Sequence, residues 1–211
     1  GDQVNDGNGI ALNLSVVDDV PTANATPAST ADALDEAKLS DGTAPGTPLS
    51  TTGNLFTDGG VNFGADGPAD GSGVTGLVIA GSEFTPFTAG ETIFLSQEAS
   101  VDAAITASTT SGANARATLV INADGSYTFT LTDNFLLSDA GDPTAQTEDI
   151  SALLGGITVL AADGDGDQVN DGNGIALNLS VVDDVPTANA TPASTADALD
   201  EAKLSDGTAP G

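Results

Sequence analysis

Residues Gly1–Gly46 recur without a single change as Gly166–Gly211, an offset of 165 residues. Identity over that length marks a tandem array. A unit this long does not fit a solenoid, whose short repeats bury a core only by stacking on their neighbours. It fits one self-contained domain per repeat, arranged as beads in series. Extra copies of an enzyme in one chain gain little, whereas extra copies of a spacer add length. The repeat therefore points to a structural role.

The chemistry open to such a bead is narrow. The 211 residues hold 31 Asp and Glu against 3 Lys and Arg, a net charge of -28, with no His and no Cys. Without His there is no imidazole base, and zinc sites and Ser-His triads are excluded. Without Cys there is no thiolate nucleophile, disulfide or iron–sulfur ligand. The charge repels nucleic acid and anionic lipid surfaces, and no apolar run reaches the ~18 residues of a membrane span. Paired carboxylates could serve a glycosidase. One Tyr, seven Phe and no Trp leave few platforms for a sugar, however, and the chain reads as non-enzymatic. Many carboxylates can hold a hard cation through oxygen, with Ca²⁺ the usual one.

Leu, Val, Ile and Phe make up 48 of the 211 residues, above the roughly 20% below which acidic chains stay disordered. They are also patterned. Ile10, Leu12, Leu14 and Val16 alternate with Ala11, Asn13, Ser15 and Val17, and Ile175, Leu177, Leu179 and Val181 repeat the alternation. Short apolar runs at 76–80, 92–95, 117–121 and 157–160 are bounded by Gly, Asp or Ser. Asp124-Gly125 between residues 117–121 and Tyr127–Leu131 predicts a hairpin with Tyr127, Phe129 and Leu131 on one face. Only Asp32–Leu39 and Glu148–Leu154 look helical. The expected fold is all-β, an immunoglobulin-like Greek-key β-sandwich.

Val16–Pro21 and its copy Val181–Pro186 end a strong strand in two Asp and a Pro, which places the domain boundaries. On this reading residues 1–19 are the last strand of a preceding repeat, 20–184 one complete domain, and 185–211 the start of the next. Residues 22–33, small and polar, suit a linker or a loose first strand. Strand 10–17 would have no sheet of its own, and it is expected to pair with a neighbouring molecule.

Three acidic groups are candidates for Ca²⁺, with several ions per repeat. Asp163, Asp165, Asp167 and Asp171 fall within nine residues of a Gly-containing turn. They match an EF-hand loop at positions 1, 3, 5 and 9, but Gln168 and Gly174 stand where the turn Gly and bidentate Glu belong. The alternative is a hairpin turn with solvated carboxylates. At the junction, Asp183 and Asp184 precede Asp197, Asp200 and Glu201 across the linker. Asp18, Asp19, Asp32, Asp35 and Glu36 are the same set one period earlier. An ion there would fix the angle between domains; otherwise the acids favour the first turn of a helix. Asp58, Asp66 and Asp70 form a third group, for which loop turns are the alternative. Asp133, Asp139, Asp142, Glu148 and Asp149 read as a solvated loop.

The run Val159-Leu160-Ala161-Ala162-Asp163-Gly164-Asp165-Gly166-Asp167, followed by Leu177–Pro186, resembles the tandem repeats of type I-secreted RTX adhesins. Asp124–Leu131 resembles that family's hairpin and Leu199-Asp200-Glu201 its acidic segment after the linker. The resemblance covers most of one period, although 165 residues exceeds the family's usual repeat and implies loop insertions. It implies a Ca²⁺-rigidified extender domain of a giant adhesin on the cell surface of a Gram-negative bacterium. Such a domain is exported unfolded, folds outside the cell, adjoins identical repeats, and projects a distal domain for surface attachment and biofilm formation. The rival reading is an adhesive module that itself binds sugar, ice or protein, which abundant Thr and Ser on the polar faces keep open.

Overall fold

A computed structural model describes residues 12–138 and 147–184. The expectations for Ile10, Asp139, Asp142, Asp197, Asp200, Glu201 and the repeat opening at 185 lie outside these residues.

In chain order the elements are β1 (Ala28–Thr30), β2 (Leu34–Asp35), β3 (Ser50–Asn54), α1 (Leu55–Asp58), β4 (Val74–Ile79) and β5 (Ser82–Glu83). They continue with β6 (Thr92–Gln97), β7 (Ile105–Ser108), β8 (Ala115–Ile121), β9 (Ser126–Leu131) and β10 (Thr147–Asp149). The last are α2 (Ile150–Leu153), β11 (Ile157–Ala161), β12 (Ile175–Asn178) and β13 (Ser180–Val182). The fold is all-β, with two helices of a single turn each. The helical stretches expected from sequence shrink accordingly. Asp32–Leu39 keeps only a 3₁₀ turn at Glu36–Lys38, because β2 takes its start. Glu148–Leu154 keeps only α2, because β10 takes its start.

Two five-stranded sheets run β1-β12-β11-β4-β5 and β3-β9-β8-β6-β7, and a three-stranded sheet runs β10-β13-β2. The alternation in β8 and β9 explains their placement: Ala117, Leu119 and Ile121 pack with Tyr127, Phe129 and Leu131, all at most 2% exposed. The turn between them is closed by Asn122 N–H to Ser126 O at 2.8 Å, with Gly125 at φ 78°. Buried residues of both five-stranded sheets join one hydrophobic cluster that includes Leu77, Leu95, Phe129, Val159 and Leu177.

The last strand is the one the sequence marks most strongly. Ile175, Leu177, Leu179 and Val181 are all fully buried. The strand breaks at Leu179, where it passes from the first sheet to the three-stranded one. Ser151, itself buried, holds the break: its Oγ donates to Leu177 O at 2.9 Å and accepts from Leu179 N–H at 2.7 Å. Ser151→Ala would orphan a buried N–H and a buried C=O, which costs about 1–3 kcal/mol. Equilibrium denaturation should show that loss at unchanged slope; a change within a few tenths would mean the backbone re-pairs.

Residues 22–33 hold a first strand rather than a linker, the second of the two options the sequence left open, and residues 12–19 depart from the sequence reading. Residues 22–33 contain β1, which pairs in parallel with β12 (Ala28 with Ala176, Thr30 with Asn178). β2 likewise pairs in parallel with β13. The domain's first and last strands are therefore stitched together. Meanwhile residues 12–19, expected to be a strand, belong to none in the described chain, and Leu12, Leu14, Val16 and Val17 are 77–95% exposed. Residues 12–17 have the sequence of the β12–β13 stretch but none of its neighbours.

Candidate metal centre

β11 delivers the chain into the acidic turn. Ala161 and Ala162 are buried, Ala162 pairs with Gln168, and Val169 is buried on the far side, so the loop 163–167 is pinned at both ends. Asp163 closes it from within. Its N–H donates to Asp167 O at 3.0 Å, and its Oδ1 accepts from Gly166 N–H at 3.2 Å and Asp167 N–H at 2.8 Å. Gly166 supplies the φ of 105° that this requires. Asp163 is fully buried, and its other oxygen, Oδ2, has no hydrogen-bond partner. A buried carboxylate oxygen left unsatisfied is unfavourable unless a cation meets it.

The other carboxylates are close. One oxygen from each of Asp163, Asp165 and Asp167 lies within 4.8 Å of the others. A second such group joins Asp165 to Asp18 and Asp66. Among the described residues these are the groups of three or more that could hold a metal. The approach depends on two loops lying against each other. Ala69 N–H donates to Ala162 O, Gly164 N–H donates to Gly67 O at 2.9 Å, and a Cβ on Gly164 would stand 2.6 Å from Asp66 O. Asp19 secures the third segment, its Oδ2 accepting from Ala65 N–H at 2.9 Å. Asp165 is solvent-exposed, yet the facing Asp163 carboxylate, partial desolvation and the charges of Asp18, Asp163 and Asp167 raise its pKa above the usual value. Three groups that are separate in sequence thus contribute to one acidic centre.

Not every candidate joins it. Asp171, at φ 52° in a 3₁₀ turn, and Asp70, at φ 49° in another, belong to neither group. Asp58 accepts from Ser29 Oγ at 2.5 Å, and the Ser29 and Tyr127 hydroxyls hydrogen-bond at 3.2 Å, a structural arrangement. Asp35 caps the 3₁₀ turn through Ala37 N–H, and Asp149 caps α2 through Ala152 N–H. Asp133 pairs with the nearly buried Arg116 at 2.5 Å.

The partners expected for Asp183 and Asp184 across the linker lie outside the described residues. Because β2 and β13 pair within one domain, Asp183 and Asp184 come against Glu36 of the same domain. Glu36 is 2% exposed and accepts from Phe135 N–H at 2.7 Å. Burial first, then the Asp183 charge, push its pKa up to about 8. Asp184 accepts from the backbone and hydroxyl of Thr43. A cavity of about 180 Å³ opens here between Glu36, Asp41, Asn134 and the two Asp. A Glu36 carboxyl whose pKa is raised this far can keep its proton near neutral pH, which eases its place beside Asp183. Sequence reasoning placed Glu36 in the junction metal group, with the first turn of a helix as the alternative, and nothing local marks it as buried.

No protein-family model and no curated protein sequence matches the chain.

Proposed function

We propose that the chain is a Ca²⁺-stabilised spacer bead, an immunoglobulin-like Greek-key β-sandwich repeated in series, whose cations rigidify it. The unsatisfied Oδ2 of buried Asp163, a residue with one carboxylate oxygen within 4.8 Å of those of Asp165 and Asp167, supports the cation reading most directly. Oxygen-only donors on a loop with no nitrogen or sulfur ligand suit Ca²⁺ over softer metals. At low calcium, carboxylate repulsion would keep the chain loose. In a calcium-rich medium, folding and binding become one equilibrium. This agrees with the resemblance to extender repeats of a type I-secreted bacterial surface adhesin, in which identical neighbours carry a distal binding domain outward for attachment and biofilm formation.

Thermal unfolding by circular dichroism tests the reading. At free Ca²⁺ ten times Kd, each site adds about 1.4 kcal/mol, or roughly 3–6 °C in a domain of this size. The melting temperature should rise by several degrees over chelator, and Mg²⁺ should not substitute. An unchanged melt would leave the acidic loops as plain solvated turns. For the spacer role, small-angle scattering of a tandem of repeats should show an extended particle, with Asp183→Ala plus Asp184→Ala increasing its bending; unaltered extension would remove those residues from the junction.

A further inference from the structure

The exact repeat allows the two ends of the domain to be read as one joint. Asp183 and Asp184 close one repeat, and Asp18 and Asp19 are the same two residues where the chain enters the next. The pair is therefore seen twice, once on the domain it leaves and once on the domain it enters. On the domain it leaves, Asp184 Oδ2 accepts from Thr43 N–H at 2.8 Å, and Oδ1 accepts from the Thr43 hydroxyl. The loop presenting Thr43 is closed on itself by Gly42 N–H to Leu39 O and Ala44 N–H to Ala37 O. On the domain it enters, Asp19 Oδ2 accepts from Ala65 N–H at 2.9 Å. Gly64, at φ 71°, leaves room for that carboxylate, which an added Cβ would strike. Beyond Asp19 the chain stays on the domain. Pro21 is buried, Thr22 and Asn62 exchange backbone bonds, and Asn24 N–H donates to Gly59 O at 3.1 Å.

We propose that consecutive repeats are joined with no free linker residue, and that the Asp184 carboxylate accepts at once from Thr43 of its own repeat and from Ala65 of the following copy. The stereochemistry allows it. A carboxylate offers about four acceptor positions, two on each oxygen. Thr43 takes one on each oxygen, and the next copy's Ala65 N–H takes the second on Oδ2. The last residue gripped by one domain is then the first gripped by the next. Relative motion of domains, the usual outcome where a linker intervenes, has no residue left on which to hinge. The surfaces brought together are loop 41–44 of one copy and loop 64–66 of the next. This rests on the tandem reading above and on no cation, since Asp19 belongs to neither carboxylate group that could hold a metal. Asp18 belongs to one of them, so its counterpart Asp183 is left unchanged in the test.

The full chain extended by one further period, so that Asp184 leads into a second complete repeat, tests this in millimolar Ca²⁺. Ser82→Cys in both repeats, exposed on β5 in a protein without other Cys, carries spin labels that read the distance between consecutive domains. The unmodified joint should give one narrow distance distribution. Asp184→Ala should broaden it roughly twofold as the domains begin to move independently. Asp184→Asn should keep it narrow, because the amide oxygen still accepts from both N–H groups and the amide nitrogen can donate to the Thr43 hydroxyl. Broadening by Asp184→Asn as large as by Asp184→Ala would mean that charge or a bound ion holds the joint, and would overturn the proposal. A broad distribution in the unmodified chain, or a narrow one in Asp184→Ala, would overturn it as well. The calcium reading fails separately. A melt indifferent to chelator would remove the cations and leave this joint standing.

Discussion

Asp163→Asn will blunt the calcium response of this protein and leave its fold in place. The Asn Oδ1 can still accept from Gly166 and Asp167 N–H, so the loop keeps its internal bonds. Its amide replaces the unsatisfied Oδ2 and can donate toward Asp165. In chelator the variant should therefore melt at or above the unmodified protein, since a buried unpaired oxygen and a like charge have both gone. In millimolar Ca²⁺ the order should invert, because the buried anionic ligand is lost and with it roughly 1.4 kcal/mol per site at ten times Kd. Paired melts read the crossover. Equal losses in both conditions would mean that Asp163 matters for packing alone.

The second large effect is set by pH. Glu36 has its pKa raised from 4.5 to about 8, chiefly by burial. The folded state therefore holds a proton that the unfolded chain releases above pH 4.5. That contribution is complete below about pH 4.5 and is lost as pH rises toward and through 8. At about 1.4 kcal/mol per pKa unit the ceiling is near 5 kcal/mol, and contact with the open cavity reduces the expected loss to roughly 2–3 kcal/mol. In chelator, stability should fall steadily between about pH 5 and pH 8, the window between the unfolded and folded values. Glu36→Gln keeps the acceptor for Phe135 N–H and can donate to Asp183, so it should flatten the profile and be the more stable protein at pH 8. A parallel fall in both proteins would place the titrating group elsewhere.

Legibility in the sequence followed locality. The turn at Asp124-Gly125 and the faces of Tyr127, Phe129 and Leu131 were readable because turn chemistry and period-2 alternation act over a few residues. β1 was readable only as an alternative to a linker, because Ala28-Ser29-Thr30 has little strand character and gains its place from β12, well over a hundred residues away. The acidic centre was half readable. Asp163, Asp165 and Asp167 stand out in the chain, but their meeting with Asp66 and Asp18 depends on two loops packing together. Glu36 shows the limit from the other side: an acid in a first turn is ordinarily solvated, and only the β2–β13 pairing buries it. Leu12 and Leu177 make the same point within one molecule. Identical local sequence is exposed in one place and buried in the other, so neighbours, not propensity, decide.

The parallel stitching of first and last strands also governs how such a bead would answer a pull. Force entering through residues before β1 and leaving after β13 draws the two ends of a parallel pair in opposite directions along their length. The rungs joining Ala28–Thr30 to Ala176–Asn178, and Leu34–Asp35 to Val181–Val182, are then loaded side by side as a shear patch. Peeling from an end would instead take them one at a time. A domain wired this way would resist tension best along the line that joins its two ends.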